Sequence, residues 1–147
     1  MSRVEKSALV PYAGAKMFAL VDDVALYPQF LPWCGEGVVT ERTAEITIAK
    51  ITIDFHGIKQ SFTTRNTKRG LLEMDIQLVD GPFKRLDGAW RFQPLAENAC
   101  KIALELEYGF ANALLENTVG PVFDMIANTM IERFVARADT LYQGQGA

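Results

Sequence analysis

The sequence predicts an α+β domain in which a curved, antiparallel sheet of seven strands lies against one long C-terminal helix. Three observations support this fold class. Apolar and polar residues alternate with a period of two over residues 37–108, the segment from about Asn112 to Tyr142 has an apolar face at helical spacing, and the turns between strands are too short for parallel crossovers. The 147 residues fit one domain, residues 1–147, which is long enough to fold without disulfides or metals.

The N-terminal part predicts one strand followed by two short helices. Residues 1–10 alternate as a strand that Pro11 ends, and residues 13–21 have apolar side chains at helical spacing. Residues 27–34 contain two prolines, which limit this segment to a short helical turn or a loop. Its large apolar side chains need cover, so we expect a lid or plug formed by Tyr27, Phe30, Leu31 and Trp33.

Three later segments alternate clearly between apolar and polar residues, which is typical of strands with one dry face and one wet face. Short sequences typical of hairpin turns separate them. The dry faces comprise Leu72, Met74, Ile76 and Leu78; Leu86, Gly88, Trp90 and Phe92; and Cys100, Ile102, Leu104, Leu106 and Tyr108.

One strand changes phase along its length. Ile46 and Ile48 lie in one phase, whereas the apolar residues from Ile51 onward lie in the other. A slip of one residue predicts a β-bulge at Ala49–Lys50, which would bend the sheet toward the helix.

The C-terminal segment predicts a helix that is kinked or split at Gly120–Pro121, because proline disrupts a helix interior. Such a break could act as a hinge. Only residues 143–147, rich in Gly and Gln, are expected to be frayed. The broad apolar face comprises Leu115, Val119, Val122, Phe123, Ile126, Met130, Phe134 and Leu141, and the opposite, polar face comprises Asp124, Asn128, Glu132 and Asp139.

Composition excludes several classes of function. The net charge of −3 gives no electrostatic reason to bind nucleic acid, so no DNA partner is expected. Two distant cysteines and a single histidine are too few for a tetrahedral zinc site, so no metal is expected. No apolar run is long enough for a signal peptide or a membrane span, which predicts a soluble, cytoplasmic protein.

Four motifs resemble one protein family over nearly the whole chain. They are YPQFLPWC at residues 27–34, GIKQSFTTR at 57–65, DGPFKRLDGAWRF at 80–92 and GPVFD at 120–124. Together they are similar to the bacterial coenzyme Q-binding, START-like proteins of the polyketide cyclase and lipid transport superfamily, a group that is also labelled a ribosome-association toxin family.

This resemblance implies a helix-grip fold of the START/Bet v 1 type, with a hydrophobic tunnel. It implies that the protein binds ubiquinone or a related prenyl lipid as a carrier that supports respiratory electron transport, with ubiquinone as ligand and no other cofactor. The toxin label implies an alternative, in which the protein binds the large ribosomal subunit and blocks subunit joining. Transient contact with the inner face of the cytoplasmic membrane is compatible with the carrier function.

The candidate ligand-binding residues are large apolar side chains of the lid, the dry strand faces and the helix. Core packing is the alternative role for each of them. Gly88 is expected to leave room between helix and sheet, and the Trp90 N–H, if buried, needs an acceptor such as a quinone or backbone carbonyl. The set comprises Phe30, Leu31, Trp33, Phe62, Met74, Phe83, Leu86, Trp90, Phe123, Ile126 and Met130.

No catalytic set is apparent in the sequence. His56 is interpreted as a loop residue and Cys34 as a buried apolar residue, because no partner is placed to form a nucleophile and base. A cyclase- or dehydratase-like enzyme is therefore the least favoured hypothesis. For the ribosomal alternative, a basic rim on one edge is expected from Lys59, Lys68, Arg69, Lys84 and Arg85.

Overall fold

The computed structural model describes residues 1–143, so most of the segment expected to be frayed lies outside the described residues. The elements follow the predicted order of strand, two short helices, six strands and a C-terminal helical region. They are β1 (Ser2–Val10), α1 (Gly14–Asp22), a 3₁₀ helix (Val24–Gln29), β2 (Cys34–Arg42), β3 (Ile46–Phe55), β4 (Ile58–Arg69), β5 (Glu73–Asp80), β6 (Phe83–Ala96), β7 (Ala99–Phe110), α2 (Ala113–Thr118) and α3 (Gly120–Tyr142).

All seven strands form one antiparallel sheet in the order β1-β7-β6-β5-β4-β3-β2. Strands β2 to β7 follow one another as hairpins, and β1 pairs with β7, so β1 and β2 lie at opposite edges of the sheet. The β3–β4 hairpin turns at His56 and Gly57, whose φ angles of 51° and 82° fit a tight turn that matches the twist of the strands. The predicted fold class is confirmed.

The bulge lies in β2 and not in β3, so the predicted bulge at Ala49–Lys50 is wrong. Strand β3 pairs with β4 without interruption from Ile46↔Thr67 to Phe55↔Ile58. The pairing of β2 with β3 instead passes from Val39↔Ala49 to Glu41↔Ile48, which leaves Thr40 as the extra residue. A second shift follows Cys34.

The error came from small and polar residues on the inner face of β3. Thr47 and Ala49 are buried in phase with Ile51 and Ile53, so one continuous inner face runs along the strand. Ile46 and Ile48 are half-buried in the opposite phase. The inner face carries the small or polar residues Thr47 and Ala49 in its first half and larger isoleucines in its second half. A pattern of large apolar residues alone therefore changed phase, although the strand does not.

The long helix α3 places its apolar face against the inner face of the sheet. Phe123, Ile126 and Phe134 are buried as predicted, and Ala127, Ile131 and Ala138 complete the buried face. The predicted break at Gly120–Pro121 is confirmed, because α2 ends at Thr118 and α3 begins at Gly120.

Two acidic residues of α3 do more than face solvent, which corrects the simple polar face expected for this helix. The hydroxyl of Tyr108 donates to Asp124 Oδ1 and the hydroxyl of Tyr12 donates to Asp139 Oδ1, both across 2.5 Å. Hydrogen bonds to a carboxylate are stronger than those between neutral groups. These bonds therefore fasten α3 to the sheet side of the domain near both ends of the helix.

Gly88 has a role different from the one expected. A Cβ atom at this position would lie 2.0 Å from the carbonyl oxygen of Glu105 on β7, which is far inside van der Waals contact. The absent side chain therefore allows β6 and β7 to approach each other closely. It does not contribute room between the helix and the sheet.

Candidate ligand-binding site

A cavity lies between α3 and the inner face of the sheet. It contains about 590 Å³ of space free of protein atoms, counting its open side, but the centre of a water molecule can reach only about 60 Å³ of this space. That is room for several water molecules. Its wall consists of Val24, Tyr27, Trp33, Ile51, Phe62, Thr64, Asn66, Ile76, Leu86, Trp90, Leu104, Leu106, Phe123, Ile126, Ala127 and Met130.

Seven of the sequence-predicted residues line this cavity together, although they come from the lid, two strands and α3. They are Trp33, Phe62, Leu86, Trp90, Phe123, Ile126 and Met130. The three helix residues are spaced by three and four positions, which places them on one side of α3. Leu86 and Trp90 are four positions apart on β6, so both point to the inner face of the sheet, where Phe62 of β4 is also buried.

Four other predicted residues pack beside the cavity without lining it. Leu31 and Met74 are fully buried in the core. Phe83 packs edge-to-face against Phe62 at the apolar end of the site, with ring centroids 5.6 Å apart. Phe30 is half-buried, and its ring lies 5.2 Å from that of Phe134.

The sequence reasoning missed polar and small side chains in the wall. Thr64 and Asn66 lie on β4 in phase with Phe62, and all three are buried. The period of two along β4 could have identified both, but a search for large apolar side chains passes over them. Ala127 was missed because its side chain is small. The other lining residues that were not among the candidates are Val24, Tyr27, Ile51, Ile76, Leu104 and Leu106.

The lid segment is tightly packed in this structure. The Tyr27 hydroxyl donates to the backbone oxygen of Val21 across 2.5 Å, and burial raises the pKa of Tyr27. A Cβ on Gly37 of β2 would lie 2.2 Å from the Val24 carbonyl oxygen, so the 3₁₀ helix rests directly on the strand. Arg137 of α3 donates to Gln29 Oε1 across 2.8 Å. The lid is therefore closed over one end of the cavity.

Two buried polar atoms of the cavity wall have no hydrogen-bond partner among the described residues. They are Nε1 of Trp33, a donor, and Oδ1 of Asn66, an acceptor. Most buried polar groups in proteins are paired, because an unpaired one costs roughly 1–3 kcal/mol. The residues of the mostly apolar cavity wall thus include one donor and one acceptor that no described residue satisfies.

Cys34 and His56, interpreted above as non-catalytic, lie in environments that do not favour nucleophilic or acid–base chemistry. Burial raises the pKa of the Cys34 thiol to about 11, so this group stays protonated near neutral pH. His56 lies in the β3–β4 turn and does not line the cavity. Residues 1–143 contain no group of three or more His, Cys, Asp or Glu side chains arranged to hold a metal ion.

The expected basic rim does not exist as five free cations. Lys68 is buried, and its Nζ lies 3.2 Å from Asp22 Oδ2. Arg69 pairs with Asp75, and Arg85 pairs with both Asp87 and Glu107. Three of the five predicted cations are therefore neutralised by carboxylates, which corrects the earlier expectation.

Comparisons with known proteins agree with this architecture. The family described as "Polyketide cyclase / dehydrase and lipid transport" matches residues 10–135. A Pseudomonas aeruginosa protein named ribosome association toxin RatA is 41% identical, covering 96% of this chain and 98% of that protein. The mitochondrial coenzyme Q-binding protein coq10 of Schizosaccharomyces pombe is 27% identical, covering 90% of this chain and 84% of that protein.

A solved structure has a similar fold. The Zhui aromatase/cyclase of Streptomyces sp. R1128 superposes with a TM-score of 0.83 at 13% identity, covering 99% of each chain. At this identity the likeness concerns the fold alone. None of the helices described between residues 1 and 143 combines the length and the apolar character that crossing a bilayer requires.

Proposed function

Because the chain belongs to the polyketide cyclase/dehydrase and lipid transport family, we propose that it binds ubiquinone or a related prenyl lipid between α3 and the sheet. In this role it is a carrier that supports respiratory electron transport. The observation that carries the proposal is the apolar cavity with two unpaired polar atoms in its wall. Small-molecule sites typically combine a mostly apolar wall with a few placed polar groups.

The size of the cavity sets a condition on binding. Space for several water molecules is too small for a quinone ring and its prenyl chain, so α3 or the lid must move outward when the ligand enters. Burial of ~300 Å² of prenyl surface at roughly 25 cal/mol/Å² offers about 7 kcal/mol before the costs of association and of this movement. Binding in the micromolar range or weaker follows, which suits a carrier that must release its ligand.

The composition of the wall supports binding without catalysis. A cyclase or dehydratase needs a general acid or base beside the substrate. Among the residues that the structure describes, no Asp, Glu, His or Lys side chain lines the cavity. Tyr27 does line it, but burial raises its pKa and its hydroxyl already donates to Val21.

Binding to added ligand tests the proposal. Purified protein is extracted with organic solvent for mass spectrometry, and the ligand-free protein is then titrated with a short-chain ubiquinone analogue while the fluorescence of Trp33 and Trp90 is recorded. We expect a co-purifying quinone or saturable quenching, since both indoles line the cavity. Absence of both signals would exclude the carrier function.

Association with the large ribosomal subunit is a second candidate function. It is favoured by the 41% identity to the protein named ribosome association toxin RatA over almost the entire chain. The net charge of −3 and the neutralised cations argue against a purely electrostatic contact with RNA. Co-sedimentation with purified large subunits at about 0.15 M salt tests this candidate, and association only at lower salt would identify a nonspecific contact.

A further inference from the structure

The two unpaired polar atoms belong to side chains that are almost completely buried. Trp33 is 2% exposed and Asn66 is 8% exposed. An indole N–H can only donate, and Oδ1 of an amide can only accept. Neither atom finds a partner within residues 1–143, and each has less than 1 Å² of accessible surface. A guest molecule therefore reaches this donor and this acceptor only after α3 or the lid moves outward.

Asn66 occupies the boundary between the apolar and the polar parts of β4. Along the inner face of this strand, polarity increases from Phe62 through Thr64 and Asn66 to Lys68. The charge of Lys68 is compensated by Asp22, whose other oxygen accepts a bond from Thr47. Asn66 takes no part in these hydrogen bonds, so its side chain is free to face the cavity.

Trp33 reaches the same cavity from the lid. Its backbone oxygen accepts a hydrogen bond of 2.9 Å from the Asp54 amide, which fixes the segment after the 3₁₀ helix against β3. The backbone group is satisfied while the indole N–H is not. The position of the indole is therefore set by the fold, and its donor has no partner before any ligand arrives.

We propose that Trp33 and Asn66 bind the oxygenated head group of the ligand and give the site its specificity for a quinone or quinol over a purely hydrocarbon lipid. This inference rests on the proposed function. Trp33 donates a hydrogen bond to one ligand oxygen. Asn66 accepts a hydrogen bond from a ligand hydroxyl or, after its amide rotates by about 180°, donates one to a second ligand oxygen. The reduced ligand carries hydroxyl groups, so it satisfies both atoms without that rotation.

Paired ligands and variants with apolar side chains test this assignment. Calorimetry measures the affinity of wild type, Trp33→Phe and Asn66→Leu for hexylbenzoquinone, for its hydroquinone and for hexylbenzene. We expect each variant to lose about tenfold in affinity for the two oxygenated ligands, as for the loss of one hydrogen bond. The affinity for hexylbenzene should stay within about twofold, because the variants keep most of the apolar wall.

Phe123→Leu is the control. It removes ring atoms from the same cavity wall, but the Phe123 side chain carries no polar atom. Its effect on the oxygenated ligands and on hexylbenzene should therefore be equal. Equal effects of Trp33→Phe and Asn66→Leu on all three ligands would overturn the assignment while leaving the carrier function intact. Failure of wild type to bind any of the ligands would overturn both.

The stability of the ligand-free protein gives a second readout. Removing a buried polar atom that has no partner relieves a cost, so Asn66→Leu, which keeps the side chain at a similar size, should leave the melting temperature unchanged or raise it. A marked fall would mean that the Asn66 amide is bonded within the protein, for example through an internal water. That outcome would contradict a role in ligand recognition.

Discussion

The hydroxyl of Tyr108, on β7, donates a hydrogen bond of 2.5 Å to Oδ1 of Asp124, on α3. Tyr108 is buried, and burial together with this bond raises the pKa of its hydroxyl. The bond lies at the N-terminal part of α3, next to Phe123, which lines the cavity. It therefore links the position of the helix wall to the sheet.

Loss of this bond should weaken the domain. We expect Tyr108→Phe to lower the free energy of unfolding by about 1–2 kcal/mol, because a bond to a charged acceptor is lost from a buried position. Urea denaturation measures the change. The control is Tyr142→Phe, whose hydroxyl makes only a long contact of 3.4 Å with the Lys16 carbonyl oxygen. Equal losses in the two variants would contradict an anchoring role for Tyr108.

The free energy of unfolding should fall at alkaline pH, and ionisation of the Cys34 thiol should contribute to this fall. Burial raises the pKa of its thiol to about 11 from an ordinary value of 9.0, so the folded chain holds a proton that the unfolded chain releases. This contribution is complete below pH 9 and is lost as the pH rises through about 11, with a slope of at most about 1.4 kcal/mol per pH unit. Cys34→Ala should flatten the wild-type profile in this window. If the free energy of unfolding of wild type and of Cys34→Ala, measured by urea denaturation, changed with pH in the same way, this role of Cys34 would be refuted.

The buried pair of Lys68 and Asp22 should behave asymmetrically. Asp22→Asn leaves the Lys68 ammonium buried without a counter-charge, so we expect a loss of about 3 kcal/mol. Lys68→Met should cost less, because Asp22 keeps Arg42 at 3.5 Å and Thr47 at 2.6 Å. The double variant should be more stable than the sum of the single losses indicates. Additive losses in urea denaturation would show that the pair does not interact.

Filling the cavity with a larger side chain should weaken ligand binding without unfolding the protein. Ala127 lines the cavity, so Ala127→Leu should lower the affinity for a short-chain ubiquinone at least about tenfold while the protein stays folded, since the added atoms occupy space that a ligand needs. Ala136→Leu adds the same atoms to an exposed position of the same helix and should leave affinity unchanged. Calorimetry measures both, and equal affinities would place the ligand elsewhere.

A side chain at position 88 would prevent the close approach of β6 and β7. Gly88→Ala should destabilise the protein by at least about 2 kcal/mol, because its Cβ would collide with the backbone of Glu105. Gly14→Ala is the control, since a Cβ there meets its neighbours at an ordinary 3.7 Å. Thermal unfolding compares the two. A neutral Gly88→Ala would show that the two strands can separate at little cost.

The antiparallel sheet could be predicted because β6 and β7 alternate with few exceptions, whereas the pairing of β1 with β7 was not predicted. Residues such as Trp90 and Ile102 lie in phase with other apolar residues, and burial follows this phase. Short hairpin turns then leave antiparallel pairing as the only arrangement. The long helix was equally clear, because Phe123, Ile126 and Phe134 recur at helical spacing.

The wall of the cavity was harder to predict for a physical reason. Hydrophobic periodicity identifies which face of a strand is buried, but it does not distinguish a residue that touches a neighbour from one that touches empty space. Met74 and Trp90 lie opposite each other on β5 and β6, yet only Trp90 lines the cavity. Asn66 was overlooked because a buried amide does not contribute to an apolar pattern.

Helix α3 is joined to the sheet through side chains alone. No backbone hydrogen bond connects it to a strand anywhere in residues 1–143, whereas every strand is bonded along its length to at least one neighbour. An outward tilt of α3 would therefore break side-chain contacts only, and the hydrogen-bonded sheet would stay intact. Under the proposed function, those contacts set the free energy needed to admit or release a ligand.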